Sequence, residues 1–499
     1  MPKIQDKFKL ILLILLLITA IFFRFWQIRD YVVFLGDEGR DMIIMRNIFV
    51  NKNLPFLGPT ASVGGFYLGP IYYWMAAPFL YLFNFDPAGP SYFVAIIGVA
   101  TVLLLYIFLK EAVGFWPGVV ASFLYATAPL IVRYSRSSWN PNPLPFFALL
   151  VMYSLFKALK RDTKYFVLAG ASLGIAVQLH YLAVILAPLS FLIIIVNAKL
   201  KEIFKAAILS LLGFIATFFP FLFFEIRHNF PNFRTILEFI TRGSTVGYKN
   251  SNIIWSIFDI GNIFLEELST LQETAFTKIF FLALVALGIW GFLKFKKEKK
   301  LIFSISLIWF LGGLTLLRLY AGQIFDYYFG TIFPAPFLLI GLIVFLFWKN
   351  IFLRFGISVI SIFLIAFFID HGFYKTPPNK LIDQTSRITD FVNEKSDNRP
   401  YNFALISESN SDHAYRYFLE TKDNSPKQLE EIVTEQLIII CESKKCEPLG
   451  HPLWEIAAFG RAEIAGEWEL KEYGSIKVFR LIHWSGAPSP AGKPAIKEG

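Results

Sequence analysis

The chain has 499 residues, of which 56% are hydrophobic and 18% aromatic, with 56 phenylalanines. A soluble domain does not need so much apolar surface, so the composition indicates a membrane protein. The net charge of +10 is the sum of +13 for residues 1–370, with 31 Lys and Arg and 18 Asp and Glu, and −3 for the remainder, with 16 and 19. Because the positive charge lies in the apolar part of the chain, membrane topology explains it better than nucleic-acid binding does.

Eleven apolar segments predict transmembrane helices. They lie near residues 9–28, 91–109, 116–133, 143–158, 165–179, 181–197, 206–225, 276–293, 301–318, 328–348 and 353–370. Lysine-rich segments fall on alternate connections, beginning with Lys3, Lys7 and Lys9, so the positive-inside rule places the N-terminus in the cytoplasm and residues 371–499 outside. No small-residue cleavage site follows the first span, which we predict is a retained helix.

The segment FYLGPIYYWMAAPFLYLFNF, residues 66–85, is also apolar enough to pass for a span. If it crossed, every later lysine cluster would move outside. Gly69-Pro70 and Pro78 also disfavour an uninterrupted helix. We therefore predict an interfacial or re-entrant segment within one long outer loop, residues 29–90.

The basic residues differ between the two predicted faces. Of the 18 inside, 16 are Lys, whereas 10 of the 13 outside are Arg. Topology needs only positive charge, but the planar guanidinium suits bidentate contact with a phosphate, so the asymmetry indicates a phosphate ligand outside. The middles of the spans hold no ionisable residue, which counts against an ion-coupled transporter.

The densest outer cluster is Gly36-Asp37-Glu38-Gly39-Arg40-Asp41, directly after the first span. On a helix, Asp37 and Arg40 would share one face, whereas the adjacent Asp37 and Glu38 would point in different directions. The alternative is structural: acids are favourable in the first turn of a helix, with Asp37 as its cap. The two interpretations are compatible.

Weaker candidates lie in other outer segments. The second outer loop contains Arg136, Trp139 and Asn140, His180 lies at a tight turn between two spans, and Asp326 and Tyr327 lie in the last outer loop. His180, Asp326 and Tyr327 could instead be interfacial anchors or parts of local ion pairs, whereas Arg136 and Trp139 are harder to explain in this way. No spacing of ligands supports a metal site, and a divalent metal as cofactor is left open.

GDEGRD, SVGGFYLGPIYYW about 30 residues further on, and SRSSWNPNP in the second outer loop resemble the GT-C glycosyltransferases over approximately residues 9–370. The similar branch is that of bacterial relatives of protein mannosyltransferases and of the lipid A aminoarabinose transferase. The resemblance implies a polytopic α-helical enzyme of about 11 transmembrane helices. It would transfer a hexosyl or pentosyl group from a polyprenyl monophosphate to a hydroxyl or amine at the outer face of the cell (inner) membrane.

In such families the first acid of the first outer loop is the catalytic base, which here matches Asp37. Glu38 matches the second acid, and Arg40 matches an arginine that contacts the donor phosphate. SRSSWNPNP lacks the further acid usual in protein mannosyltransferases, so the acceptor class is not carried over. Direct attack would invert the anomeric configuration. The predicted substrate-binding residues are Glu38, Arg40, Tyr67, Arg136, Trp139, Asn140, His180, Asp326 and Tyr327.

The expected partners are a polyprenyl-phosphate-linked sugar donor, a glycan, lipid or protein acceptor, and membrane lipid, with no nucleic acid. Tyr67 and its aromatic neighbours would line a groove for the polyprenyl chain or belong to an aromatic belt. Two alternatives remain open: a lipid-linked sugar flippase or transporter, and a polymerase or ligase that uses a polyprenyl diphosphate.

Residues 371–485 predict a small outer α/β or α+β domain behind a transmembrane catalytic domain at 1–370. Helices are expected at 377–394 and 412–420, strands at 401–409, 436–443 and 475–482, and disorder at 486–499. Cys441 and Cys446 would form a disulfide if the domain is outside the cytoplasm, and would otherwise be unpaired thiols.

Overall fold

A computed structural model describes residues 2–61, 64–242, 253–270, 275–320, 324–474 and 476–484. The predicted disordered end, residues 486–499, lies outside the described residues. The chain forms two compact units. Unit 1 comprises Met1–Ile28, Lys52–Asn84 and Gly89–Pro377, and unit 2 comprises Arg29–Asn51, Phe85–Ala88 and Pro378–Gly499.

The described residues are mainly helical. The helices are α1 (Pro2–Phe25), α2 (Ile28–Tyr31), α3 (Gly36–Val50), α4 (Ile71–Leu82), α5 (Gly89–Ala112), α6 (Phe115–Thr127), α7 (Pro129–Tyr134), α8 (Leu144–Lys160), α9 (Tyr165–Leu179), α10 (Leu186–Asn197), α11 (Leu200–Arg227), α12 (Pro231–Arg242), α13 (Ile253–Ser269), α14 (Ala275–Lys294), α15 (Lys297–Leu307), α16 (Gly313–Arg318), α17 (Ala335–Phe347), α18 (Ile351–Asp370), α19 (Leu381–Lys395), α20 (His413–Leu419) and α21 (Trp454–Phe459). Short 3₁₀ segments occupy Tyr181–Ile185, Asp326–Thr331, Phe373–Lys375 and Lys471–Tyr473, and a π-helical segment, Ile308–Gly312, joins α15 to α16.

Each of the eleven predicted spans falls on helical structure. Six helices among the described residues are long and apolar enough to cross a membrane: Gln5–Phe25, Gly89–Ala112, Leu200–Arg227, Ala275–Lys294, Lys297–Arg318 and Ile351–Asp370. The other spans lie on shorter helices. The third, 116–133, is broken between α6 and α7 because Ala128 precedes Pro129 and leaves the helical region, with φ −56° and ψ 121°.

The segment at 66–85 forms only one short helix. With 12 residues, α4 is about 18 Å long, shorter than the roughly 30 Å of a hydrocarbon core. Before it, Thr60 and Tyr67 form an isolated antiparallel bridge. This arrangement agrees with the prediction that the segment does not cross as an uninterrupted helix.

Glycines bring two helices of unit 1 together. A Cβ atom on Gly170 of α9 would collide with the carbonyl oxygen of Ser210, and one on Gly213 of α11 would collide with that of Val167. The Thr217 hydroxyl donates to the carbonyl of Ala171 across the same contact, at 3.0 Å. Small residues of this kind allow close helix packing where no hydrophobic effect drives association.

Unit 2 is built on a four-stranded mixed sheet. Its strands are β1 (Asn402–Ile406), β2 (Gln436–Cys441), β3 (Ala462–Leu470) and β4 (Ile476–His483), in the order β1-β2-β4-β3. The first pair is parallel and the other two are antiparallel. Residues of α19 and α20 pack on one face of the sheet, and residues of α21 pack on the other.

Unit 2 also includes the segment before α3 and the short segment Phe85–Ala88. Arg29 donates from Nε to Asp86 at 2.9 Å and pairs through Nη1 with Asp383 of α19. The Tyr417 hydroxyl donates to the carbonyl oxygen of Phe85 at 2.6 Å. These bonds explain why distant parts of the sequence fold as one unit.

The predictions for helices α19 and α20 and strands β1, β2 and β4 are confirmed. Strand β3 was missed because AEIAGEWEL contains three glutamates and little β-branched apolar content, and its residues are only partly buried. Cys441 and Cys446 form a disulfide, the first of the two predicted alternatives.

Candidate active site

The acidic motif opens helix α3. Leu35 is extended, and its backbone N–H donates to the Glu38 carboxylate at 3.1 Å. The N–H of Gly36 donates to Oδ1 of Asn410 at 2.9 Å. Two amide groups at the start of the helix are thereby satisfied by side chains. Asp37 and Glu38 lie in the first turn of α3, where the helix dipole favours acids, but the N-cap is Leu35 and not Asp37. The functional interpretation of the motif stays a prediction.

The two glycines of the motif allow another segment of unit 2 to come close. A Cβ on Gly36 would collide with Ser411, and one on Gly39 would collide with the backbone of His413 and Ala414. Any side chain at either position would push α3 away from the start of α20. The glycines of GDEGRD are therefore explained by packing within unit 2.

Arg40 lies between two aspartates. Its Nη1 donates to Oδ1 of Asp37 at 2.9 Å, while Nη2 and Nε donate to Oδ1 of Asp41 at 2.9 and 3.1 Å. The Asp37 side chain is 61% exposed, whereas that of Asp41 is only 1% exposed. Asp41 thus holds the guanidinium from the buried side, and Asp37 presents a carboxylate to solvent.

Glu38 is buried, in contrast to its neighbour Asp37. The pKa of Glu38 is raised to about 7, chiefly by burial. Backbone hydrogen bonds from Leu35 and Glu38 lower it, and the negative charges of Asp41 and Asp37 add to the rise. The two adjacent acids of the motif therefore differ in environment, and Glu38 is partly protonated near neutral pH.

Asn410 and His413 of unit 2 adjoin the motif and were not predicted from the sequence. Asn410 accepts from Gly36 and donates from Nδ2 to Glu442, at 3.2 Å. Glu442 also accepts from the Tyr415 hydroxyl at 2.7 Å. His413 begins α20. Asn410 is 374 residues from Gly36, and so large a separation left no signal in the sequence. Asp41 could have been inferred from its place beside Arg40.

In unit 1, Arg136 binds the end of α1. Its Nη1 and Nη2 donate to the backbone oxygens of Phe23 and Trp26, each at 2.8 Å, and its guanidinium lies 3.7 Å from the centre of the Phe373 ring. The side chain is buried. These contacts give Arg136 a structural role, and its predicted contact with a phosphate stays a prediction.

Four predicted residues of unit 1 lie in one aromatic cluster. The Trp139 and Tyr327 rings have their centres 4.5 Å apart, and the His180 ring is 5.8 Å from Tyr327. Asn140 donates from Nδ2 to the carbonyl oxygen of Leu179, directly before His180, at 2.6 Å. The cluster, here called the aromatic cluster, consists of Trp139, Asn140, His180 and Tyr327.

Asp326 and Tyr67 are held by other contacts of unit 1. Asp326 accepts from the Tyr134 hydroxyl at 2.6 Å and from the N–H of Tyr327 at 2.9 Å. The backbone N–H of Tyr67 donates to Asn232, whose Nδ2 donates to the buried Glu225 at 2.7 Å. The Tyr67 side chain is exposed.

The predicted residues thus divide between the two units. Asp37, Glu38 and Arg40 lie together in unit 2, and the remaining predicted residues lie in unit 1. Within the described ranges, no group of three or more His, Cys, Asp or Glu residues could hold a metal ion.

Two comparisons concern sequence. The family model described as dolichyl-phosphate-mannose-protein mannosyltransferase matches residues 68–224. YkcB of Bacillus subtilis strain 168, named provisionally as a mannosyltransferase, is 33% identical over 112 residues. That match covers 22% of this chain and 16% of YkcB, so it spans a small part of the relative.

The comparison of structures covers nearly the whole chain. ArnT from Cupriavidus metallidurans, in a crystal structure with undecaprenyl phosphate, has a TM-score of 0.60 at 11% identity over 94% of this chain and 97% of ArnT. The chain has the GT-C fold. AglB, the oligosaccharyltransferase of Archaeoglobus fulgidus, in complex with an inhibitory peptide and a dolichol-phosphate, has a TM-score of 0.52 at 14% identity over 87% of this chain and 69% of AglB.

The GT-C fold confirms the predicted fold class, a polytopic helical membrane protein with a small C-terminal sheet domain. The match to the mannosyltransferase family model and the similarity to ArnT and YkcB confirm the resemblance to that branch. Structural identities this low show the fold alone.

Proposed function

We propose that the chain is a glycosyltransferase that moves a sugar from a polyprenyl monophosphate to a hydroxyl or amine acceptor at the outer face of the cytoplasmic membrane. The start of α3 carries this proposal, because it presents an exposed carboxylate, Asp37, joined to the guanidinium of Arg40. The GT-C fold and the mannosyltransferase family match support the activity. Complexes of ArnT with undecaprenyl phosphate and of AglB with dolichol-phosphate support a lipid phosphate donor.

In this proposal Asp37 is the general base. Its carboxylate takes the proton of the acceptor as the acceptor oxygen or nitrogen bonds to the anomeric carbon. The bond from that carbon to the phosphate oxygen breaks, and its electron pair stays on the phosphate. One direct attack inverts the anomeric configuration. A positioned base of this kind is worth about 10²- to 10⁴-fold in rate.

Arg40 is the proposed contact for the donor phosphate. Charge builds up on the leaving phosphate as the bond breaks, so a fixed guanidinium stabilises the transition state more than the ground state. Nε and Nη2 of Arg40 both donate to Asp41, which fixes the plane of the guanidinium before substrate binds. The buried Asp41 is thus a positioning residue in this scheme.

The aromatic cluster is proposed to bind substrate within unit 1. Aromatic faces and the polar edges of His180 and Asn140 suit a sugar ring, which has both apolar and hydroxyl-bearing surfaces. Tyr67, with its exposed ring, is proposed to contact the polyprenyl chain. The acceptor in this scheme is a glycan, a lipid or a protein.

The test supplies purified protein in lipid with radiolabelled hexosyl and pentosyl polyprenyl monophosphates and with membranes of the encoding organism as the source of acceptor. We expect label to move to the acceptor with the wild-type protein. The variant Asp37→Asn removes the proton acceptor and keeps the shape, so transfer should fall at least about 100-fold. Product anomers, identified by NMR, should have the inverted configuration.

The matched control is Asp162→Asn, which changes an aspartate that caps the turn before α9 by accepting from the N–H of Lys164. It should transfer at the wild-type rate. Full activity in Asp37→Asn would refute the base assignment. Transfer from polyprenyl-diphosphate donors alone would favour a polymerase or ligase, and movement of the donor across vesicles with no new glycosidic bond would favour a flippase.

A further inference from the structure

The turn at Asn410–His413 lies directly against the acidic motif, within unit 2. Two contacts fix this turn close to α3. The N–H of Gly36 donates to Oδ1 of Asn410, and a Cβ on Gly39 would collide with the backbone of His413 and Ala414. Asn410 in turn donates to Glu442, the residue directly after β2. The sheet of unit 2 therefore fixes where this turn lies relative to α3.

His413 has one side of its ring engaged and the other side open. Nδ1 shares a hydrogen bond with the Ser411 hydroxyl at 2.9 Å. Asp412, 3.7 Å from Nδ1, pairs mainly with Arg416. Nε2 makes no hydrogen bond to any residue that the structure describes, and the side chain is 42% exposed. An imidazole nitrogen is thus available to a ligand beside the motif.

The charge of His413 suits a neutral ligand. Burial lowers the pKa of His413 from its ordinary value of 6.5. The charges of Arg40 and Arg416 lower it too, against Asp412 and Asp37, which raise it. The imidazole is therefore neutral at pH 7, and a neutral ring nitrogen exchanges hydrogen bonds with a hydroxyl or an amine better than it binds a phosphate.

We propose that His413 is an acceptor-binding residue of the transferase, whose Nε2 makes a hydrogen bond to a hydroxyl or amine of the acceptor beside Asp37. This inference rests on the proposed function and deepens it. It assigns recognition of the acceptor to a residue of the C-terminal part of the chain, while Arg40 serves the donor. The Ser411 hydroxyl holds the ring from the other side, so that Nε2 is oriented before the acceptor arrives.

Two substitutions separate this role from a structural one. His413→Asn places a polar atom near the position of Nδ1 and can keep the bond to Ser411, but has nothing at the position of Nε2. His413→Gln reaches the position of Nε2. If Nε2 binds the acceptor, Gln should retain function and Asn should lose it. If the ring only supports the turn, Asn should be the better replacement.

The measurement uses radiolabelled mannosyl polyprenyl monophosphate, or whichever donor the wild type accepts, and records two products: label on membrane acceptors and free sugar released by water. The ratio of transfer to release reports recognition of the acceptor separately from attack on the donor. We expect His413→Asn to lower this ratio about tenfold, the usual scale for one lost hydrogen bond to a bound group, and His413→Gln to lower it less than threefold. His451→Asn, at a histidine whose Nδ1 accepts from Leu453, is the control and should leave the ratio unchanged.

Three results would overturn the proposal: an unchanged ratio in His413→Asn, an equal loss in the Asn and Gln variants, or a parallel fall of both products together with a lower melting temperature. Asp37→Asn should lower both products, so its effect is distinguishable. A wild-type protein that neither transfers nor releases sugar would refute the proposed function itself, and the acceptor role with it.

Discussion

Glu38 makes the stability of the protein depend on pH. Its pKa is about 7 in the folded protein and 4.5 ordinarily, so between these values the folded state keeps a proton that the unfolded state has released. Stability therefore falls as the pH rises through this window, by up to about 3 kcal/mol, and is unaffected below it. Glu38→Gln cannot ionise but can still accept from Leu35. We expect the melting temperature of Glu38→Gln to equal that of the wild type at pH 4.5 and to exceed it at pH 8.

The control for this prediction is Glu435→Gln, an exposed glutamate of the same unit. Its melting temperature should follow that of the wild type at every pH. Parallel curves for wild type and Glu38→Gln between pH 4.5 and 8 would mean that Glu38 does not titrate in this range. Differential scanning fluorimetry in detergent gives both curves.

At the scale of residues, the sequence predicted which nearby residues share a helix face and missed the contacts between residues far apart in the chain. The spacing of Asp37 and Arg40 was enough to predict that they share one face of a helix, and in the structure they form an ion pair. Nothing in the spacing could reveal Asn410 or His413, which reach the motif only through the fold of unit 2. The contacts of Arg136 were not predicted either: its guanidinium donates to the backbone oxygens of Phe23 and Trp26 at the end of α1, and its contact with a phosphate stays a prediction.

Among the elements, helices α9 and α11 offer a clear test of packing. Gly170→Leu would drive a side chain into the backbone at Ser210, which forces the two helices apart. Overpacking costs about 1–3 kcal/mol, so the melting temperature should fall. Gly356→Leu is the matched control, since a Cβ at Gly356 of α18 meets no atom within 4 Å. Equal melting temperatures for the two variants would contradict the close contact of α9 and α11.

Hydropathy predicted the existence of the spans and could not predict their breaks or contacts. The break between α6 and α7 lies at Pro129, which hydropathy alone placed inside one span, 116–133. The crossing of α9 and α11 depends on which glycines face each other, and a single sequence contains no information about partners. Strand β3 is short of apolar residues because one of its edges and much of its surface remain partly exposed.

For the whole molecule, we propose that the N-terminus is cytoplasmic and that residues 371–499 lie outside. The lysine-rich connections support this orientation, and so does the disulfide of Cys441 and Cys446, since disulfides persist in oxidising compartments. The short α4 supports it too: if residues 66–85 crossed, each later connection would change sides. The proposed location of Asp37 on the outer face therefore depends on this topology, so one experiment tests both.

Cysteine labelling tests this hypothesis directly, because the chain has only two cysteines and both can be replaced by serine. In that background, Asn53→Cys and Asn84→Cys flank α4 at exposed positions, and Lys164→Cys marks a predicted inner turn. A membrane-impermeant maleimide added to intact cells should label positions 53 and 84, and should label 164 only after permeabilisation. Labelling of 53 without 84 would show that α4 and its flanks cross the membrane. In that case the lysines after it would lie outside, and the charge argument for the orientation would fail.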